Sequence, residues 1–294
     1  MIGTGAEIVY VVRMVELLTE HTGGDNRRWR VALDDGATVE AVLYRGDSLC
    51  ISSQVGCAVG CPFCASGAQG FGRNLRLEEL RGQVEAVRRL GIAVRRVTVS
   101  GVGEPLHSHA DVSALLHWCR AQDLGLSLTT SGGPVARLRE WLVELPHRGL
   151  TVSVHAGTET VRRQMVPRGP ALHDLFATLR SACQAISASR RRKVALAYLL
   201  LAGVNDHDEE IDAFVERARP LGLKLSLYAY NPVANGHGRA VSEPRYHAIA
   251  TRLRTEGFDV RRSSQARTQP NGGCGTLLAV RPAGPRRHAP SSSG

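Results

Sequence analysis

The chain has 294 residues, enough for one large domain or two small ones. Charged residues make up 22% and the set Ala, Val, Ile, Leu, Met, Phe, Trp, Tyr and Cys 43%, so a packed core can form; disorder and collagen-like or low-complexity repeats are excluded for most of the chain. Lysine and arginine number 37 against 27 acids, a formal charge of +10 that suits a polyanionic partner such as RNA, or equally a genome that favours Arg.

In chain order, the first apolar stretch, Ile8 to Leu18, is broken by Arg13 and Glu16 and lacks a basic start and a cleavage site. It predicts neither a membrane span nor a signal peptide, so the expected compartment is cytoplasmic, with no membrane partner. Residues 29–33 and 39–44 read as strands joined by an Asp34-Asp-Gly36 turn. After a cysteine-rich stretch the pattern alternates. Helices are predicted over 77–90, 110–122, 135–145, 172–188, 208–219 and 245–257, and strands over 96–100, 124–130, 150–155, 194–201, 223–230 and from 259. Strands that are apolar on both faces and alternate with helices predict a parallel α/β sheet, with its ligand site at the strands' carboxyl ends. The pattern does not separate an open doubly wound sheet from a barrel. Residues 283–294 are rich in Pro, Ser, Gly and Arg and read as a disordered tail.

The seven cysteines are unevenly spread. Cys119 and Cys183 fall on apolar helix faces and read as core, Cys274 follows the Gly-rich Asn271-Gly-Gly, and Cys50, Cys57, Cys61 and Cys64 crowd together. A reducing compartment disfavours a disulfide framework, so the crowding points to metal or redox chemistry. In Cys57-Ala-Val-Gly-Cys61-Pro-Phe-Cys64 three thiolates share one loop with no His. Soft thiolates select zinc or iron–sulfur clusters, and a structural zinc normally takes four protein ligands. A zinc knuckle would need Cys50 or a distant His, whereas a cubane held by three cysteines leaves one iron open.

The triad resembles that of the radical S-adenosylmethionine (SAM) superfamily. With Cys50-Ile-Ser-Ser-Gln-Val-Gly-Cys57, Gly70-Phe-Gly-Arg-Asn-Leu75, Gly101-Val-Gly-Glu-Pro105, Thr129-Thr-Ser-Gly132, Val152-Ser-Val-His-Ala156, Tyr230-Asn-Pro232 and Gly273-Cys-Gly275, residues 38–280 resemble the RlmN/Cfr family of RNA adenosine methyltransferases. The resemblance implies a partial (β/α)6 barrel over 46–282 with a small N-terminal β extension over 1–45, in place of the family's helical RNA-holding domain. It implies one [4Fe–4S] cluster on Cys57, Cys61 and Cys64, with SAM on the open iron. Gly103, Glu104, Thr129, Ser153, Val154, His155 and Asn231 match the family's SAM pocket, with Thr129 replacing the usual Ser.

The resemblance also implies a route to C2 or C8 of adenine, carbons that are not nucleophiles. Cys274 takes a methyl group from one SAM; a radical made from a second SAM removes a hydrogen from that methyl, and the carbon radical adds to the ring. Cys50 then releases the product by forming a disulfide with Cys274, and Glu40 accepts a proton. The implied partners are RNA, ribosomal or transfer, and an electron donor such as flavodoxin or ferredoxin. Two other readings stay open: the same chemistry on a non-RNA substrate, and a non-catalytic metal-containing RNA-binding protein. The runs Arg190-Arg-Arg-Lys193 and Arg27, Arg28 and Arg30 read as solvated, with phosphate contact as the sharper alternative.

Overall fold

The computed structural model describes residues 15–23, 26–68, 70–233, 238–262 and 275–280. The chain opens as an antiparallel meander of β1 (Val15–Gly23), β2 (Asn26–Leu33), β3 (Thr38–Tyr44) and β4 (Ser48–Ile51). The expected hairpin is therefore present and carries a further strand, β1, on its outer edge. Next, β5 (Gln54–Gly56) and β6 (Phe71–Asn74) pair antiparallel and bracket the cysteine loop and a short helix, α1 (Ala65–Ala68).

Strands and helices then alternate: α2 (Leu77–Arg88), β7 (Arg96–Val99), α3 (His109–Ala121), β8 (Gly125–Thr130), α4 (Val135–Val143), β9 (Gly149–Ser153), α5 (Glu159–Met165), α6 (Leu172–Ala185), α7 (Ala188–Arg191), β10 (Val194–Leu200), α8 (Asp208–Ala218), β11 (Lys224–Ala229), α9 (Glu243–Thr255) and β12 (Val260–Arg262). In α2, Leu80, Val84 and Val87 are buried on one face, with Glu78 and Glu79 in the first turn and Arg88 in the last, as the helix dipole favours.

The main sheet runs β1-β2-β3-β4-β7-β8-β9-β10-β11-β12. β4 is its pivot: antiparallel to β3 but parallel to β7, so the meander and the parallel half form one sheet. From β4 onward each new strand is added on the same side. A doubly wound sheet reverses its order at a switch point, and this one does not. Right-handed crossovers wound in one direction place the helices on one face and leave the other as the barrel interior. The order resolves the ambiguity left by the sequence: six parallel strands, β4 and β7 to β11, with short β12 at the edge.

Two helix boundaries differ from expectation for local reasons. The helix predicted over 172–188 ends at Ala185, because Ser187 caps a new turn by accepting from the Arg190 N–H at 3.3 Å. The helix predicted from 245 begins at Glu243, capped by Ser242 with Pro244 in the first turn. Cys119 and Cys183 are core residues, as expected. No described helix is long and apolar enough to cross a membrane. Cys274 and the expected tail over 283–294 lie outside the described residues.

Candidate active site

A cavity of about 190 Å³ opens at the carboxyl ends of the parallel strands. Cys57, Cys61 and Cys64 line one side of it, and Cys50, Gly103, Glu104, Thr129, Ser153, His155 and Asn231 line the rest. Gly275, which follows Cys274 in the chain, also lines it. The cavity thus gathers most of the expected site residues from six separate stretches of chain. Two expected members lie elsewhere: Val154 is fully buried beneath the wall and Glu40 sits outside the lining.

The cysteine loop is held by its own backbone. The Cys57 N–H donates to the Gly70 carbonyl at 3.0 Å, closing the β5–β6 hairpin around it, and the Cys64 N–H donates to the Cys61 carbonyl at 3.2 Å. Arg168 reaches over to the Ala58 carbonyl at 2.9 Å. At Gly67 a Cβ would stand 2.6 Å from the Cys61 carbonyl oxygen, so α1 packs onto the loop only with glycine there.

Burial pushes the Cys57 thiol up to about 12 and raises Cys61 as well. Buried thiols of this kind keep their protons until metal charge compensates the thiolates. Among the described residues no three His, Cys, Asp or Glu side chains converge on the position of a single metal ion. A cubane in which each cysteine takes its own iron needs no such convergence, and the three-thiolate donor set fits it.

Opposite the loop, Glu104 is 3% exposed and already bonded. Its Oε1 accepts from the Thr130 hydroxyl at 2.5 Å and the Leu106 N–H at 3.0 Å, and its Oε2 from the Ser131 N–H at 2.6 Å. The carboxylate therefore ties the turn after β7 to the end of β8 and presents fixed negative charge to the cavity. Gln54 supports it by accepting from the Glu104 N–H at 2.9 Å. Gly103 has φ +113°, and a Cβ there would lie 2.7 Å from Gln54, so the approach requires glycine.

His155 ends β9's run in a left-handed conformation, φ 59°. Its Nδ1 accepts from the Leu199 N–H at 3.0 Å, which puts the ring proton on Nε2. Burial first, and the Arg162 charge second, bring its pKa down to about 3, so it is neutral at pH 7.

Arg162 on α5 was not anticipated. It is 1% exposed, and its guanidinium donates to the carbonyls of Ser153 (2.7 Å), Val154 (2.9 Å), Ser131 (2.7 Å) and Pro170 (3.2 Å). One side chain thus sets the spacing of the β8 and β9 ends. A charged residue on a short helix carries no sequence signal that it turns inward.

Cys50 is buried on β4, with its sulfur 3.3 Å from the Ser100 hydroxyl. No disulfide joins two of the six described cysteines; the disulfide that the family implies pairs Cys50 with Cys274, which lies outside the described residues. Several of the arginines that read as solvated, with phosphate contact as the alternative, make structural bonds. Arg190 donates to the carbonyls of Leu142, Trp141 and Leu145 at the end of α4, Arg191 to that of Cys183, and Arg27 pairs with Glu20.

Residues 51–215 match the radical SAM superfamily, and with the monotonic sheet and the cysteine loop at its mouth they define a radical SAM fold. A probable RNA methyltransferase from Chromobacterium violaceum is 34% identical over 275 residues, 92% of this chain and 77% of that protein. The dual-specificity RNA methyltransferase RlmN of Halorhodospira halophila is 32% identical over 279 residues, 91% and 77% of the two chains. Among solved structures, a radical SAM methyltransferase from Sphaerobacter thermophilus matches with a TM-score of 0.79 at 28% identity, covering 90% of this chain and 81% of that one. The chain belongs to the RlmN/Cfr family of radical SAM methyltransferases and is an enzyme; the family implies a [4Fe–4S] cluster and SAM.

Proposed function

We propose that this enzyme methylates a ring carbon of adenine in RNA, C2 or C8, through an S-methyl group carried on Cys274, with two SAM consumed per turnover. The observation that carries the reading is the shared cavity: Cys50, the three-cysteine loop and Gly275 all line it. Cys274 immediately precedes Gly275 in the chain.

Bound to Cys57, Cys61 and Cys64, the cluster supplies an electron for SAM cleavage, delivered by a donor such as flavodoxin or ferredoxin. Glu104 receives the ammonium of SAM, a fixed carboxylate for a cation. Gly103 gives the backbone its close approach, and Thr129, Ser153, His155 and Asn231 complete the pocket, with Val154 packed beneath its wall. Neutral His155 offers its Nε2–H as a donor without adding charge. Cys274 accepts the methyl group, and Cys50 later attacks its sulfur, forming the disulfide that releases the methylated base. Glu40 takes the proton lost from the ring carbon. The +10 formal charge suits RNA as the partner, ribosomal or transfer.

The test is a comparison of modified nucleosides in RNA from cells with and without the gene. A methyladenosine, at C2 or C8, present only with the gene is the expected result. If no methyladenosine differs while Cys274 is found S-methylated in the purified protein, the substrate is not RNA. If Cys274 is unmodified in protein made with ample SAM, the methyl-carrier route fails.

A further inference from the structure

Residues 275–280 form a strap that is bonded along its whole length. The Gly275 carbonyl accepts from the Ala65 N–H at 2.8 Å and the Leu277 carbonyl from the Ser66 hydroxyl at 2.8 Å, both on α1 directly after Cys64. At the far end Val280 and Thr38 exchange backbone bonds of 2.9 and 2.8 Å, an antiparallel bridge to β3. Between these anchors the strap meets a charged pair. Glu40 Oε2 accepts from the Leu278 N–H at 2.7 Å and from Arg28, while the same Arg28 nitrogen donates to the Thr276 carbonyl at 3.2 Å.

Both charged side chains are largely buried, at 15% and 9% side-chain exposure. Arg28 Nε has no partner among the described residues, and the guanidinium's bonds within them go to Glu40 and the strap. Glu40 stands opposite Arg30 in the β2–β3 register, and Arg28 reaches it diagonally from two residues earlier. A buried ion pair is poor value for stability alone, since desolvation offsets most of its attraction. Here the bonds left over from the pair are directed at one segment.

We propose that Arg28 and Glu40 are positioning residues that latch the strap to the N-terminal sheet, fixing Gly275 in the cavity wall and so presenting the thiol of the preceding residue, Cys274, for methylation. This rests on the reading of Cys274 as methyl carrier. It assigns the N-terminal strands a task in the chemistry, and it gives Glu40 a task separate from proton transfer.

The test uses the full chain, reconstituted anaerobically, as Arg28→Met and Arg28→Lys. Amide hydrogen exchange over 275–280 should rise about tenfold or more in Arg28→Met, the loss expected for charge-assisted bonds. Exchange in α2 and the cluster's electron paramagnetic resonance signal should stay unchanged. SAM cleavage to 5′-deoxyadenosine should continue while S-methyl occupancy of Cys274 falls, and Arg28→Lys should recover part of both losses. Unchanged strap exchange overturns the latch. So does faster exchange with Cys274 methylated as in the unsubstituted protein. If the unsubstituted protein carries no S-methyl group, the carrier reading fails, and strap exchange alone then decides the latch.

Discussion

Replacing Arg162 with Met tests whether one buried cation holds the mouth of the barrel together. Methionine fills much the same space but donates nothing, so the carbonyls of Ser131, Ser153, Val154 and Pro170 all lose a partner. A buried polar group without a partner costs about 1–3 kcal/mol. Ser153 and Pro170 are half-buried, where water can replace the lost donor, so the full cost falls on the buried Ser131 and Val154. Removing the charge returns part of its own desolvation penalty, the same penalty that brings Arg162 down to about 10. The net loss is about 3–5 kcal/mol, a large share of the roughly 5–15 kcal/mol that stabilises a domain. For a chain of this size that lowers Tm by about 6–20 °C. Thermal melts followed by circular dichroism at fixed scan rate read it directly, with exposed Arg163→Met on the same helix as control. A melt within 2 °C of the unsubstituted protein would refute the reasoning, because the carbonyls would then have been satisfied without the guanidinium.

Three further outcomes are expected. His147 is buried, both ring nitrogens lack partners among the described residues, and burial, with Arg190 and Lys193 behind it, brings its pKa down from 6.5 to about 4. The unfolded chain then binds a proton below pH 6.5 that the folded chain refuses until about pH 4, so stability falls across that window by about 3 kcal/mol; His147→Leu should melt higher at pH 7 and show a flatter decline toward pH 4.5, and a parallel decline counts against the assignment. Glu104→Gln should weaken SAM binding to the reconstituted protein at least about tenfold by calorimetry, since it removes the charge and sets an amide against the Leu106 and Ser131 N–H donors; affinity within twofold would remove Glu104 from the pocket. Cys57→Ala, Cys61→Ala and Cys64→Ala should each abolish the iron–sulfur absorbance after reconstitution while Cys119→Ala keeps it; retention in any of the three would break the ligand set.

The sequence carried the parallel half of the sheet well. Strands such as Val194–Leu200 are apolar on both faces, a pattern that only burial between helices and a barrel interior explains. The cysteine triad and Glu104 were legible because each sits in a short run whose spacing is set by chemistry. What escaped was non-local. β4 has four residues and β5 three, too short for periodicity, and β5 finds its partner β6 only across the cysteine loop. Glu40 is bonded by Arg28 on β2 and by Leu278 of the strap from the far end of the chain. Arg190, in a run that looks solvated, turns back to cap α4.

The strap also explains why a charged pair belongs in this sheet. Fixing six residues costs about 6–12 kcal/mol of chain entropy. Four neutral bonds, to Ala65, Ser66 and Thr38, return about 4 kcal/mol, and burying Leu277 and Ala279 returns about 3 kcal/mol more. Those terms nearly cancel, which leaves the segment at the margin of order. The bonds from Arg28 and Glu40, at about 1.5–3 kcal/mol each for charged partners, then decide its position. A segment balanced in this way can be held in the cavity wall for one step and released for another at small cost, and the residues that tip the balance lie on strands β2 and β3, outside the barrel whose chemistry they serve.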